Sequence, residues 1–76
     1  MEKIDVVVGP ETISFRAFTS VEAVKKSIRE RYVLQGGGLE LDGLVVVEGD
    51  DFVAGKTYSF VGGIPQGKSL SPAIYQ

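Results

Sequence analysis

Cysteine and histidine are both missing from the 76 residues. Their absence excludes disulfides, thiol nucleophiles, imidazole bases and the usual zinc ligand sets. Most enzyme chemistry goes with them, so no catalytic site, no metal and no cofactor is expected. Positive charge is scarce and dispersed: eight Lys and Arg stand against ten Asp and Glu, for a net charge of -2. Such a chain exerts no long-range attraction on phosphate backbones, and nucleic acid is not an expected partner. Long apolar runs are lacking too. Met1-Glu2-Lys3-Ile4-Asp5 opens without an apolar run of signal-peptide length, and no stretch approaches the roughly 18 apolar residues that span a bilayer. A soluble chain of intracellular type, without membrane attachment, is expected.

What is present is the balance of an ordinary globular protein, 43% hydrophobic and 24% charged. The length allows one domain, and a domain of this size buries only about 60% of the surface its unfolded chain exposes. The core is expected to be thin and an isolated copy monomeric.

The periodicity then sets the order of elements. Ile4, Val6 and Val8 alternate with Asp5 and Val7, the period of a half-buried strand. Gly9-Pro10 signals a turn, and Thr12 to Phe18 alternates again, with Ile13, Phe15 and Ala17 on one face and Phe18 on the other. Thr19-Ser20-Val21-Glu22 reads as a capping box with Thr19 as the cap. The helix that follows gathers Val21, Val24, Ile28 and Tyr32 into one apolar stripe. Leu34, Gln35 and the glycines 36–38 are expected to end it, with a glycine making the left-handed exit. Leu39 to Leu41, the Asp42-Gly43 turn and Leu44 to Val47 predict a second hairpin. After the acidic loop 48–51, Phe52 is expected to plug the core and Thr57 to Val61 to form the last strand, stopped by Gly62-Gly63. Ile64 to Gln76 hold two of the three prolines and read as a flexible tail or linker. The domain is therefore placed at residues 1–63 and the tail at 64–76.

Hairpin, helix, short hairpin and last strand is the order of an α+β β-grasp fold, with a mixed sheet of four to five strands and the first and last strands adjacent. Ser20-Val21-Glu22-Ala23-Val24-Lys25-Lys26-Ser27-Ile28 resembles the first-helix signature of ubiquitin, and Ile13, Phe15 and Ala17 match its inward residues on the second strand. Leu39-Glu40-Leu41-Asp42-Gly43 looks like its third strand and turn, and Asp50-Asp51-Phe52 resembles its Asp-aromatic corner. The resemblance to the ubiquitin-like superfamily covers residues 1–63. It departs where it matters for binding: Glu40 and Ser59 stand on the outer face where those modifiers carry an aliphatic patch, and of that patch only Val61 stays apolar. Desolvating Glu40 would cost several kcal/mol unless it were paired, so ordinary ubiquitin receptors are not expected partners. Leu44 stands near the place of ubiquitin's chain-forming lysine, so no linkage chemistry is carried over.

A narrower resemblance rests on Gly36-Gly37-Gly38, Asp42-Gly43 and the closing run Gly55-Lys56-Thr57-Tyr58-Ser59-Phe60-Val61-Gly62-Gly63. These residues are similar to the ubiquitin-like N-terminal header domains of Crinkler-type effectors. That resemblance implies a non-enzymatic module leading a larger protein, acting on a protein partner in host cytoplasm or nucleus. The surface expected to serve it is the outer face of Lys3, Asp5, Val7, Glu40, Ser59 and Val61. Two placements are open for Phe18: joined to that face beside Val7 and Val61, or folded over the helix start as a staple.

Gly62-Gly63 also admits a different class, a modifier or sulfur carrier processed after Gly63 and activated at that end; the alternative is a strand terminator followed by a linker. Lys25, Lys26, Arg29 and Arg31 are read as a solvated helix face paired with Glu22 and Glu30, and Glu48, Asp50 and Asp51 as a solvated turn that lacks calcium-loop spacing.

Overall fold

Alternation becomes a hairpin in the computed structural model, which describes residues 2–66. Lys3–Val8 (β1) and Glu11–Arg16 (β2) pair antiparallel across Gly9-Pro10, with Gly9 at φ 59°. Ile4, Val6 and Val8 are buried on one face. β2 ends at Arg16, short of the expected Phe18, because the Thr19 N–H donates to the Arg16 carbonyl at 3.0 Å and turns the chain.

The helix α1 runs over Val21–Tyr32 and buries Val21, Val24 and Ile28, three members of the expected stripe. Its cap is Ser20 rather than Thr19: the Ser20 Oγ accepts from the Ala23 N–H at 3.1 Å. The end also differs from expectation. Val33, not a glycine, takes the left-handed conformation at φ 54° and ψ 55°, and its N–H donates to the Arg29 carbonyl. Arg29 holds this exit from the other side, its guanidinium donating to the carbonyls of Gly36 and Gly37, each at 2.8 Å.

Past that exit lie Leu34–Gln35 (β3), Gly38–Leu41 (β4), Leu44–Val46 (β5), Thr57–Val61 (β6) and Ile64–Pro65 (β7). Five strands form one sheet in the order β2-β1-β6-β4-β5. β1 and β6 run parallel at its centre and every other pair is antiparallel. This is the expected α+β architecture, one helix on a mixed five-stranded sheet in a β-grasp-like arrangement. Asp42 and Gly43, both at positive φ, make the tight turn between β4 and β5.

The core lies between α1 and one sheet face: Ile4, Val6, Val8, Leu39, Tyr58 and Phe60 meet the helix stripe, with Phe52 closing the layer. Phe52 packs edge-on against Tyr58, ring centroids 5.0 Å apart and planes at 83°. Tyr58 is buried, and its hydroxyl accepts from the Val53 N–H at 2.8 Å, which satisfies the polar end of an otherwise apolar side chain.

β7 belongs to the stretch expected to be a tail. It pairs antiparallel with β3, Leu34 opposite Pro65 and Gln35 opposite Ile64. Gln66 extends the junction, its N–H donating to the Val33 carbonyl at 2.9 Å and its Nε2 to the Leu34 carbonyl at 2.7 Å. Residues 67–76 of the expected tail lie outside the described residues.

Candidate interaction surface

Successive side chains on a strand point to opposite faces, so the register fixes what faces away from α1. Val7 stands opposite Thr12 on one side and Ser59 on the other; Glu40 stands opposite Ser59 and Val45. A single row, Thr12–Val7–Ser59–Glu40–Val45, therefore crosses all five strands on the outer face. A second row holds Ser14, Asp5 and Thr57, where the Ser14 hydroxyl donates to the Asp5 carboxylate at 2.8 Å. Lys3 faces out opposite Arg16, and Val61 stands opposite Gly38. Val7, Asp5 and Glu40 are half-buried, while Lys3, Ser59 and Val61 are exposed.

Phe18 does not join that face. It follows the end of β2 that lies beside Lys3, whereas Val61 sits past the far end of β1, so the two are at opposite ends of the sheet. With 78% of its surface exposed, it is not folded over the helix start either. Its ring carries the Arg16 guanidinium at 5.8 Å from the centroid.

Gly62 and Gly63 lie between β6 and β7, Gly62 exposed and Gly63 half-buried. Gly62 has φ 84°, and a Cβ on Gly63 would stand 2.7 Å from Phe60 Cε1 and 3.3 Å from Leu34 Cδ1. β7 follows at once.

The charges of Lys25, Arg29 and Lys26 act on Glu22, as the expected intrahelical pairing has it, and two of these cations also reach off the helix. Arg29 clamps the glycine loop, and Lys25 pairs with Glu48 at 3.9 Å, on the loop after β5. Glu22 meets the same loop. Its carboxyl shares a hydrogen bond with that of Glu48, which holds Glu22 below the usual carboxylate range and, together with the Glu22 charge, pushes Glu48 above it. In the acidic loop, Asp50 closes a turn by accepting from the Val47 N–H at 3.0 Å. Among the described residues no group of three or more metal-ligating side chains gathers, and no helix is long and apolar enough to cross a membrane.

One surface was not anticipated. The large apolar side chains that the core omits concentrate near β5: Leu44 is 74% exposed, Val45 69%, Val47 54% and Val53 51%. A groove of about 290 Å³ runs there, lined by Leu41, Leu44, Val45, Val46, Val53 and Tyr58 with Asp50 and Asp51 at its side. Leu44-Val45-Val46-Val47 does not alternate, and a strand apolar on both faces at a sheet edge has one face too many for a single core.

The chain matches no family model, no curated protein and no solved structure with which it was compared. The class defined by the fold and surface is an α+β domain of β-grasp-like arrangement whose outer sheet face is uncovered by other described residues and whose edge is apolar.

Proposed function

We propose that this chain is a non-enzymatic, ubiquitin-like protein-interaction module of a larger modular protein, an N-terminal header of the effector type, and that it binds through its outer sheet face and the adjoining β5 edge. The observation that carries the reading is the gathering of Leu44, Val45, Val47 and Val53 outside the core, next to the row that ends in Val45. Exposed apolar side chains scattered singly mean nothing; a contiguous set rimmed by polar residues marks a contact surface. The polar character of Val7's neighbours, Thr12 and Ser59, suits a partner that reads backbone and edge rather than one that fills an aliphatic patch.

The carrier or modifier reading gains no support from the glycine pair. Gly63 is small because Phe60 and Leu34 leave no room for a side chain, and Ile64 and Pro65 beyond it are paired.

Site-specific photo-crosslinking in cells tests the module reading. A crosslinker is placed in turn at Val45, at Val7 and at Glu30 on the exposed side of α1. Adducts of one mass at Val45 or Val7 and none at Glu30 are expected. Equal yields from all three positions would remove the reading.

A further inference from the structure

We infer that β5 is an open docking edge for an extended segment of a protein partner, apolar in its middle and carrying Lys or Arg at both ends, which adds antiparallel as a sixth strand. This rests on the interaction-module reading and names the chemistry of the partner.

The backbone supplies the first argument. β5 is the last strand in the sheet order and pairs with β4 alone among the described strands. A two-residue turn makes its flanking pair, Leu41 and Leu44, the hydrogen-bonded one, so the next pair, Glu40 and Val45, is non-hydrogen-bonded. The N–H and C=O of Val45 therefore point outward from the sheet. Beyond Val46 the edge closes, because the Val47 N–H and C=O are both taken by Asp50. The site is short and centred on Val45, which the register places beside Glu40 on the outer face and which also lines the neighbouring groove together with Leu44 and Val53.

Charge selects the occupant. Between positions 32 and 55 the chain carries Glu40, Asp42, Glu48, Asp50 and Asp51 and no Lys or Arg, although its overall charge is only -2. The edge thus sits in the acidic part of the molecule, and basic residues at the ends of an incoming strand meet it favourably. A second copy does not fit the same way. Antiparallel self-pairing about Val45 would set Asp42 of each copy opposite Glu48 of the other, and like charges directly opposite are destabilising. The same acidic flanks guard the edge against aggregation while leaving it open to a basic strand.

The test titrates the whole 15N-labelled chain with two peptides, Lys-Lys-Val-Thr-Val-Thr-Val-Lys-Lys and its counterpart with Glu for every Lys. With the lysine peptide, shift changes and slowed amide exchange centred on Val45 are expected. The glutamate peptide should bind at least about tenfold more weakly, and added salt should narrow that gap. Val45→Pro should abolish binding while keeping the fold, because proline at an outward N–H leaves the ladder to β4 intact; Val45→Lys serves as the second variant. Shifts centred on Val7 and Ser59 would overturn the edge site yet leave the module reading standing. Peptide-free dimerisation lost in Val45→Pro would overturn the basic-strand partner in favour of a second copy. An absence of shifts at millimolar lysine peptide overturns the inference alone, since the crosslinking result judges the module reading separately.

Discussion

The ring of Phe60 occupies the space that a side chain at Gly37 would need: a Cβ there would stand 2.6 Å from Phe60 Cζ. Gly37 also lies at φ 88°, a conformation that costs other residues roughly 1–2 kcal/mol. Overpacking adds a further penalty, so Gly37→Ala should destabilise by about 2–4 kcal/mol. Gly36, at φ 72° with open space around it, is the control, and Gly36→Ala should cost only about 1–2 kcal/mol. Urea midpoints of the two variants, taken at equal slopes, give the difference; equal losses would mean that both Phe60 and the Gly63 backbone nitrogen, 2.8 Å from the same Cβ, yield freely.

Val33 presents the opposite case. A β-branched residue in the left-handed region is strained, and at 57% exposure it gains little from burial in return. Val33→Gly should therefore stabilise the protein by about 1 kcal/mol and raise its Tm by about 5 °C. Calorimetry settles the sign.

Ile64, Pro65 and Gln66 contribute a strand pairing and two hydrogen bonds to residues 33–35. A chain ending at Gly63 should be less stable than one ending at Gln66 by about 1–3 kcal/mol. Coincident denaturation curves for the two would show β7 to be idle.

The Glu22–Glu48 pair predicts a pH dependence with two sides. Glu48 is raised by the hydrogen bond to Glu22 and by its charge, so its contribution is present below the ordinary carboxylate value and is lost as pH rises through its raised value. Glu22 is lowered, chiefly by the same bond, so its contribution is present above the ordinary value and is lost as pH falls through its lowered value. The pair is most favourable between the two, where one proton is shared. Carboxyl carbon shifts followed by NMR should show two separated midpoints. Glu48→Gln, whose amide donates at every pH, should remove the decline on the alkaline side.

The sequence made some of this fold readable and hid the rest for physical reasons. β1 and β6 alternate over five or six residues, and the stripe of Val21, Val24 and Ile28 has helical spacing, so burial on one side shows directly in the pattern. β3 and β7 are two residues each, too short to carry a period, and their pairing joins segments far apart in the chain. The glycine run drew the helix end toward itself, while the actual exit is a valine that Arg29 and Gln66 hold in place by bonds no local motif announces. Alternation continues past Arg16 and so predicts Phe18 in the strand; the turn that takes it out depends on one backbone bond. As for the candidate surface, the outer-face residues followed from register, but an apolar run such as Leu44 to Val47 reads the same whether it is buried or at an open edge.

The parallel pairing of β1 with β6 joins the beginning of the domain to its last long strand, Asp5 beside Thr57 and Val7 beside Ser59. On the ribosome, the first hairpin and α1 can form as they emerge, but the strand that completes the sheet's centre is made last. Until Val61 has left the exit tunnel, β1 has one side unpaired and the apolar face of α1 lacks Tyr58 and Phe60. Synthesis therefore carries an obligatory interval in which this small domain is incomplete, and distant pairings of this kind form slowly because the chain between them must first be closed into a loop.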